Sequence, residues 1–162
     1  MKQHDNQSKR RNNSLQFKRA LVTGFVGGVL WGMVWLLLHY FNFIEVSMKA
    51  YVLQSWTRAE WTTGWVGSFV SIFVLGLLSI VIAVIYYSLL KKRNTMWTGV
   101  AYGFVLWFCV FYLFNSFFQN IPSFSSLTMD TIISSLALYI LYGTFIGYSI
   151  SFDYNDNRPE VR

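Results

Sequence analysis

Charge is scarce in this chain, and long stretches of it have none. Only 12% of its 162 residues are Asp, Glu, Lys or Arg, against about 25% in an ordinary soluble domain. Residues 20–44, 61–90, 94–129 and 131–152 contain no such residue. A soluble domain needs helices with a polar face toward water, and these stretches offer none. Each can cross the ~30 Å hydrocarbon core of a bilayer as a helix, so a membrane protein is predicted.

Cysteine and catalytic groups are equally scarce. The one cysteine, Cys109, has no partner for an intrachain disulfide and cannot build a cysteine-based zinc site. The uncharged stretches contain a single histidine, His39. The chain has no H-E-x-x-H pattern, no G-x-S-x-G elbow and no phosphate-binding glycine loop. We therefore expect no catalytic, metal-ligating or cofactor-binding residue, and we expect that the protein is not an enzyme.

The uncharged stretches predict an all-α integral membrane protein, a four-helix transmembrane bundle. The spans are expected at about 20–41, 65–90, 97–118 and 131–152. The first is too long for the apolar region of a cleaved signal peptide. Residues 20–152 then form one membrane domain. Polar residues 1–19 predict a disordered basic cytoplasmic tail, and 153–162 predict a second tail.

Basic residues are distributed unequally between the two sides that four spans define. Eleven lie in the tails and in the loop between the second and third spans, and two, Lys49 and Arg58, lie opposite. Because cytoplasmic segments carry the excess of Lys and Arg, both ends are expected in the cytoplasm. Anionic lipid headgroups are the expected partners, and no nucleic acid is expected because no recognition element surrounds these residues. The residues expected at headgroups are Lys9, Arg10, Arg11, Lys18, Arg19, Lys91, Lys92 and Arg93.

Small residues recur at every fourth position within the spans. In lipid, where apolar burial drives little association, such stripes let helices approach closely. We expect them to pack the helices of one chain, while a homo-oligomer through one stripe remains open. The glycines expected to pack are Gly24, Gly28, Gly32, Gly99, Gly103, Gly143 and Gly147. Deep tryptophans, Trp31, Trp35 and Trp107, are expected to fill space opposite glycines, each indole N–H finding an acceptor. The alternative is that they form the wall of a flat-ligand pocket.

The remaining polar features lie toward the outer side. Asp130 stands where the fourth helix begins and is expected to cap it. His39 is expected to hydrogen-bond locally, and Asn115 and Ser116 are expected to hydrogen-bond between helices. Loop 42–64 is longer than a turn requires, so it is the favoured place for an extracytoplasmic contact. Whether this loop is helical is left open.

Three motifs resemble those of a known family. LYGTFIGYSISFDYN at 141–155 resembles the closing signature of the YqhR family, small membrane proteins of endospore-forming Gram-positive bacteria. TGFVGGVLW at 23–31 and MWTGVAYGFVLW at 96–107 resemble its first and third helices. The likeness covers residues 20–155. It implies a four-helix protein of a Gram-positive plasma membrane, and it carries no activity or catalytic residue.

Two classes of function remain after these exclusions. We expect a non-enzymatic structural or interaction component of the cell envelope, whose partners are the lipid bilayer and either a second copy of itself or another membrane protein. The alternative is an oligomeric small-solute transporter or pore subunit. A water-wide cavity lined by Asn115, Ser116 and hydroxyl groups favours transport, whereas a tightly packed bundle favours the structural role.

The distribution of basic residues makes a topological prediction. Reporter fusions at the N-terminus, near residue 94 and at the C-terminus should read cytoplasmic, and fusions near 54 and 124 should read external. The physical reason is the ratio of eleven basic residues to two across the membrane. An external reading near residue 94 would overturn the whole assignment.

Overall fold

The structure is a computed structural model, and it describes residues 2–54, 57, 59–90, 93, 95–113 and 127–156. Side chains are described at those positions except 2–13, 51, 113 and 156. All secondary structure in this described part is helical, which confirms the predicted all-α class. The α-helices are α1 (Lys2–Tyr40), α2 (Trp65–Leu90), α3 (Met96–Phe108) and α4 (Met129–Asp156).

Among the described helices, three are long and apolar enough to cross a membrane. They are Ser14–Tyr40, Trp65–Leu90 and Met129–Asn155. The second predicted span, 65–90, coincides with α2. The segment Met96–Tyr112 is apolar but shorter, because α3 gives way to a π-helical turn at Cys109–Leu113. Residues 114–118 of the third predicted span lie outside the described residues.

Helix α1 begins much earlier than the predicted first span. Its backbone is helical from Lys2, where the sequence predicts a disordered tail over residues 1–19. A helix already formed within a span lengthens without a second nucleation step, which accounts for the difference. The part of this extension nearest the predicted span also contacts the bundle. Gln16 is buried, and the ring of Phe17 packs edge-on against Tyr87 with centroids 5.8 Å apart.

Helices α1 and α2 form one antiparallel pair. Gly24 lies against Ala83, and Gly32, two turns further along α1, lies against Leu75. Residue numbers therefore rise along one helix as they fall along the other. Because glycine has no side chain, α2 can approach the α1 backbone closely at these positions.

Helices α3 and α4 form a second antiparallel pair. Gly99 lies against Thr144, and Gly103 lies against Ile140. The third span was predicted from an uncharged stretch alone, and in the structure its described part follows α4 along its length.

Helices α2 and α4 join the two pairs and run in the same direction. Ser79 meets Tyr142, and Tyr86 meets Ser151 further along both helices. Helix α1 also packs on α4, where Gly27 lies against Phe145. The helices therefore alternate in direction, with α1 and α3 running one way and α2 and α4 the other.

The segment after α1 folds back over one end of the bundle, called here the loop end. Asn42 adopts a left-handed conformation with a φ of 61° and turns the chain. Ile44 and Val46 are then buried at 0% and 4% exposure, while Phe43 and Glu45 between them are exposed. Burial alternates from one residue to the next here, which is a period of two rather than the period of a helix.

Hydrogen bonds to α1 and α4 attach this segment to the helices. The indole Nε1 of Trp35 donates to the backbone oxygen of Val46 over 3.1 Å, and the backbone N–H of Glu45 donates to Thr131 Oγ1 over 3.0 Å. A π-helical turn at Ala50–Gln54 and a 3-10 turn at Glu60–Thr62 complete the connection. The described part of loop 42–64 is therefore largely packed against the helices.

The alternation in this segment predicts a labelling pattern. In a Cys109→Ala background purified in detergent, Glu45→Cys should react rapidly with a maleimide. Ile44→Cys and Val46→Cys should react slowly until the protein is denatured, because both side chains are buried. Equal rates at the three positions would mean that the segment does not pack on the bundle.

Candidate functional site

Glycines bring the backbones of neighbouring helices into close contact. Between α3 and α4, a Cβ atom added at Gly99 would lie 2.9 Å from the Gly143 oxygen. One added at Gly147 would lie 2.7 Å from the Gly99 Cα, and one at Gly103 would lie 2.8 Å from the Ile140 Cα. These distances leave no space for a side chain, so the two backbones are in direct contact.

Helices α1 and α2 are equally close. A Cβ atom at Gly28 would lie 2.8 Å from the Gly76 Cα, and one at Gly24 would lie 3.0 Å from the Ile80 Cα. At Gly32 the nearest atom is the end of a leucine side chain at 3.2 Å. All of the glycines named from the sequence thus lie at helix contacts within one chain.

A buried serine at these contacts links three helices. Ser79 of α2 donates its hydroxyl to the backbone oxygen of Gly24 on α1 over 2.5 Å. Its Oγ also lies 2.5 Å from the hydroxyl of Tyr142 on α4. Ser79 is 2% exposed, so neither group meets solvent, and each satisfies the other's hydrogen-bonding capacity.

Two further tyrosines tie helices together in the same way. The Tyr102 hydroxyl on α3 donates to the Ile82 oxygen on α2 over 2.7 Å. The Tyr86 hydroxyl lies 3.2 Å from Ser151 Oγ, which donates to the Arg93 oxygen over 3.0 Å. The sequence analysis missed these residues. The sequence does place several tyrosines inside the uncharged stretches, and a buried tyrosine hydroxyl needs a hydrogen-bond partner. These tyrosines could therefore have been predicted to bond neighbouring helices.

The deep tryptophans only partly meet the expectation. Trp35 finds an acceptor in the loop segment, and Trp107 Nε1 donates to Ser135 Oγ over 3.0 Å. Both rings stack on Phe111, at centroid distances of 6.3 Å and 5.4 Å, so protein side chains already cover their faces. Trp31 differs, because its Nε1 is buried and has no acceptor among the described residues.

Two of the polar residues singled out in the sequence, His39 and Asp130, lie near the loop end. His39 Nδ1 lies 2.8 Å from the Ile44 oxygen, a local hydrogen bond. Helix α4 begins at Met129, so Thr128 holds the position before it and Asp130 lies inside the first turn. The prediction that Asp130 caps the helix is corrected accordingly, although a carboxylate in the first turn still favours the helix dipole. Asn115 and Ser116 lie outside the described residues.

At the opposite end, called here the tail end, charge is concentrated. Arg19 Nη1 lies 3.1 Å from Asp153 Oδ1, so an exposed ion pair joins the middle of α1 to the last turn of α4. Lys18 and Arg93 are exposed. Of the other residues expected at headgroups, Lys9, Arg10 and Arg11 lie where only the backbone is described, and Lys91 and Lys92 lie outside the described residues.

A groove, called here the loop-side groove, lies between α1 and α4 on the described surface. Its volume is about 370 Å³. Its lining is Trp31, Val34, Leu38, Phe43, Ser134, Ala137, Leu138 and Leu141. The lining is apolar apart from the indole nitrogen and one hydroxyl. Among the described residues, no group of His, Cys, Asp and Glu is arranged to hold a metal ion.

Glycine-mediated helix contacts, buried hydroxyl pairs and an apolar exterior together define a helical membrane protein. Comparison with known proteins agrees. The whole chain, residues 1–162, matches the family described as conserved membrane protein YqhR. The uncharacterized protein YqhR of Bacillus subtilis (strain 168) is 44% identical over 142 residues, which are 88% of this chain and 79% of that protein. The chain belongs to the YqhR family, and the resemblance found in the sequence is confirmed. No solved structure matches it.

The glycine contacts predict a sharp difference between positions. Gly28→Ala and Gly147→Ala should each lower the free energy of unfolding by about 1–3 kcal/mol, because overpacking moves the backbones apart. Leucine at either position should lower it further. Gly64 is the matched control, because a Cβ atom there would meet nothing closer than 3.8 Å. Thermal aggregation in detergent measures the effect, and equal tolerance at positions 28, 147 and 64 would contradict the packing.

Proposed function

We propose that the protein is a four-span plasma-membrane protein with both ends in the cytoplasm, which acts through contacts with lipid and other membrane proteins. On this proposal it catalyses no reaction. The observation that carries it is that the buried hydroxyls at the helix contacts are engaged in bonds between helices. The buried hydroxyls of Ser79, Tyr102 and Tyr142 all bond neighbouring helices.

The alternating helix directions support four spans. Helix α3 runs antiparallel to α4 and contacts it through Gly99 and Gly103, as expected for neighbouring spans. The apolar segment Met96–Tyr112 has 17 residues, which is at the lower limit of about 17–25 for a span. With four spans both ends lie on one side, and the basic residues assign that side to the cytoplasm.

The exposed surface supports contacts rather than transport. Large apolar side chains such as Leu78, Val105 and Leu141 are about half exposed, and they suit lipid or a partner helix. The loop-side groove lies on the outside of the α1–α4 contact and is open toward the surroundings. The buried hydroxyls described at the helix contacts bond neighbouring helices, which supports packing over a water-filled path for a solute.

The two ends of the bundle offer different contacts. At the tail end, exposed Lys18 and Arg93 suit anionic headgroups or an acidic partner. At the loop end, most apolar side chains of loop 42–64 turn inward, so a contact there relies on exposed residues such as Phe43 and Glu45. This narrows the surface that was expected from the sequence.

Site-specific photocrosslinking in native membranes tests the proposal. A diazirine amino acid at Leu78 or Val105, both exposed, should give a discrete adduct with another membrane protein from at least one face. The same group at Ile146, which is 0% exposed, is the matched control and should give intrachain products alone. Adducts with lipid alone from every exposed face would contradict a role in protein contacts.

A further inference from the structure

The loop-side groove lies between α1 and α4, where α4 carries small side chains. At Gly27 the helices are close, since an added Cβ atom would lie 3.1 Å from the side chains of Phe145 and Ile146. Nearer the loop end, α4 contributes the small side chains of Ser134 and Ala137 to the groove. The gap that these small residues leave is bounded at the loop end by Phe43, which is 52% exposed.

The dimensions of the groove suit a single hydrocarbon chain. Its α1 wall runs from Trp31 to Leu38, which at 1.5 Å per residue is about 10 Å along the helix. That is roughly a third of the hydrocarbon thickness. An apolar groove facing lipid loses dispersion contacts when it is left empty, so an acyl chain is a fitting occupant.

Two carboxylates lie at the loop end of this groove. Asp130 precedes Ser134 by four residues, so it lies one turn nearer the loop end on the same face of α4. Glu45 is two residues beyond Phe43, and its backbone N–H donates to Thr131, the neighbour of Asp130, over 3.0 Å. Both carboxylates are exposed, and in the described part of the chain neither forms an ion pair.

We propose that the loop-side groove binds one acyl chain of a phospholipid with an ammonium-bearing headgroup, and that Glu45 and Asp130 receive the ammonium. The apolar walls hold the chain, and the two carboxylates select the headgroup by charge. An anionic headgroup would meet repulsion at the same place. Under the proposed orientation, on which this inference rests, the lipid belongs to the outer leaflet.

Lipid retention by the full-length protein tests this proposal. The protein is reconstituted in nanodiscs of phosphatidylethanolamine and phosphatidylglycerol in equal amounts with matched chains, then re-extracted, and its bound lipids are measured by mass spectrometry. The ratio of retained phosphatidylethanolamine to phosphatidylglycerol should be higher in the wild-type protein than in Glu45→Gln/Asp130→Asn, by up to about fivefold, the factor expected from one favourable charge contact at a membrane surface. The two proteins are compared with each other because both are also expected to hold anionic lipid at the basic tail end.

Two more variants separate the roles of charge and groove. Glu60→Gln is the matched control, because Glu60 is an exposed carboxylate in a different turn of the same loop, and it should keep the wild-type ratio. Ala137→Trp fills the groove from an exposed position. The amount of retained phosphatidylethanolamine should therefore fall, while the circular dichroism spectrum should show the helix content of the wild type.

Several outcomes would overturn the proposal. They are equal lipid ratios in the wild type and in Glu45→Gln/Asp130→Asn, a lowered ratio in Glu60→Gln, and wild-type retention of phosphatidylethanolamine by Ala137→Trp. A wild-type dimer that Ala137→Trp converts to a monomer would also overturn it, because a second copy would then cover the groove. Nanodiscs present the same lipids on both faces, so this assay is independent of orientation and can fail separately from the reporter fusions.

Discussion

Direct contact between helix backbones is the constraint on which the rest of this structure depends. The surrounding lipid is as apolar as leucine, so burying apolar side chains between helices yields little net free energy. Short-range packing remains, and it is closest where two backbones touch, as at Gly28 against Gly76 and at Gly99 against Gly143. A larger side chain at such a point would separate the helices over several turns, and the other contacts would be lost with it.

The buried hydrogen bonds depend directly on that closeness. Ser79 has a short side chain, and it reaches the backbone oxygen of Gly24 because α1 and α2 are in contact there. The same serine then holds Tyr142 of α4, so one close contact positions a third helix. In hydrocarbon an unpaired hydroxyl is costly. These bonds therefore do more than stabilise the bundle, because they also specify which helices pair.

The limits of α2 and the positions of the packing glycines could be predicted from the sequence, because hydropathy and spacing are local properties. The partners of those glycines could not, since all four spans carry small residues at the same spacing and several pairings satisfy it. The burial of Ile44 and Val46 was missed because an extended segment that packs on helix ends has no helical periodicity. Asp130 was misplaced by two residues relative to Thr128, which is the usual uncertainty of a helix boundary. The hydroxyl links escaped prediction because Ser79 and Tyr142 are distant in sequence and become neighbours only when α2 and α4 pack.

The two ends of the bundle differ in their outermost contacts, although the tail end also contains buried packing, such as Ile150 and the pair of Tyr86 and Ser151. At the loop end, buried apolar side chains and the bond from Trp35 fix the connection to the helices. At the tail end, α1 and α4 are joined by the ion pair of Arg19 and Asp153, whose side chains are 59% and 31% exposed. Exposed pairs of this kind contribute about 0–1 kcal/mol and weaken in salt. The tail end is therefore where a charged headgroup or partner can exchange contacts with the protein at small cost, while the loop end keeps its geometry.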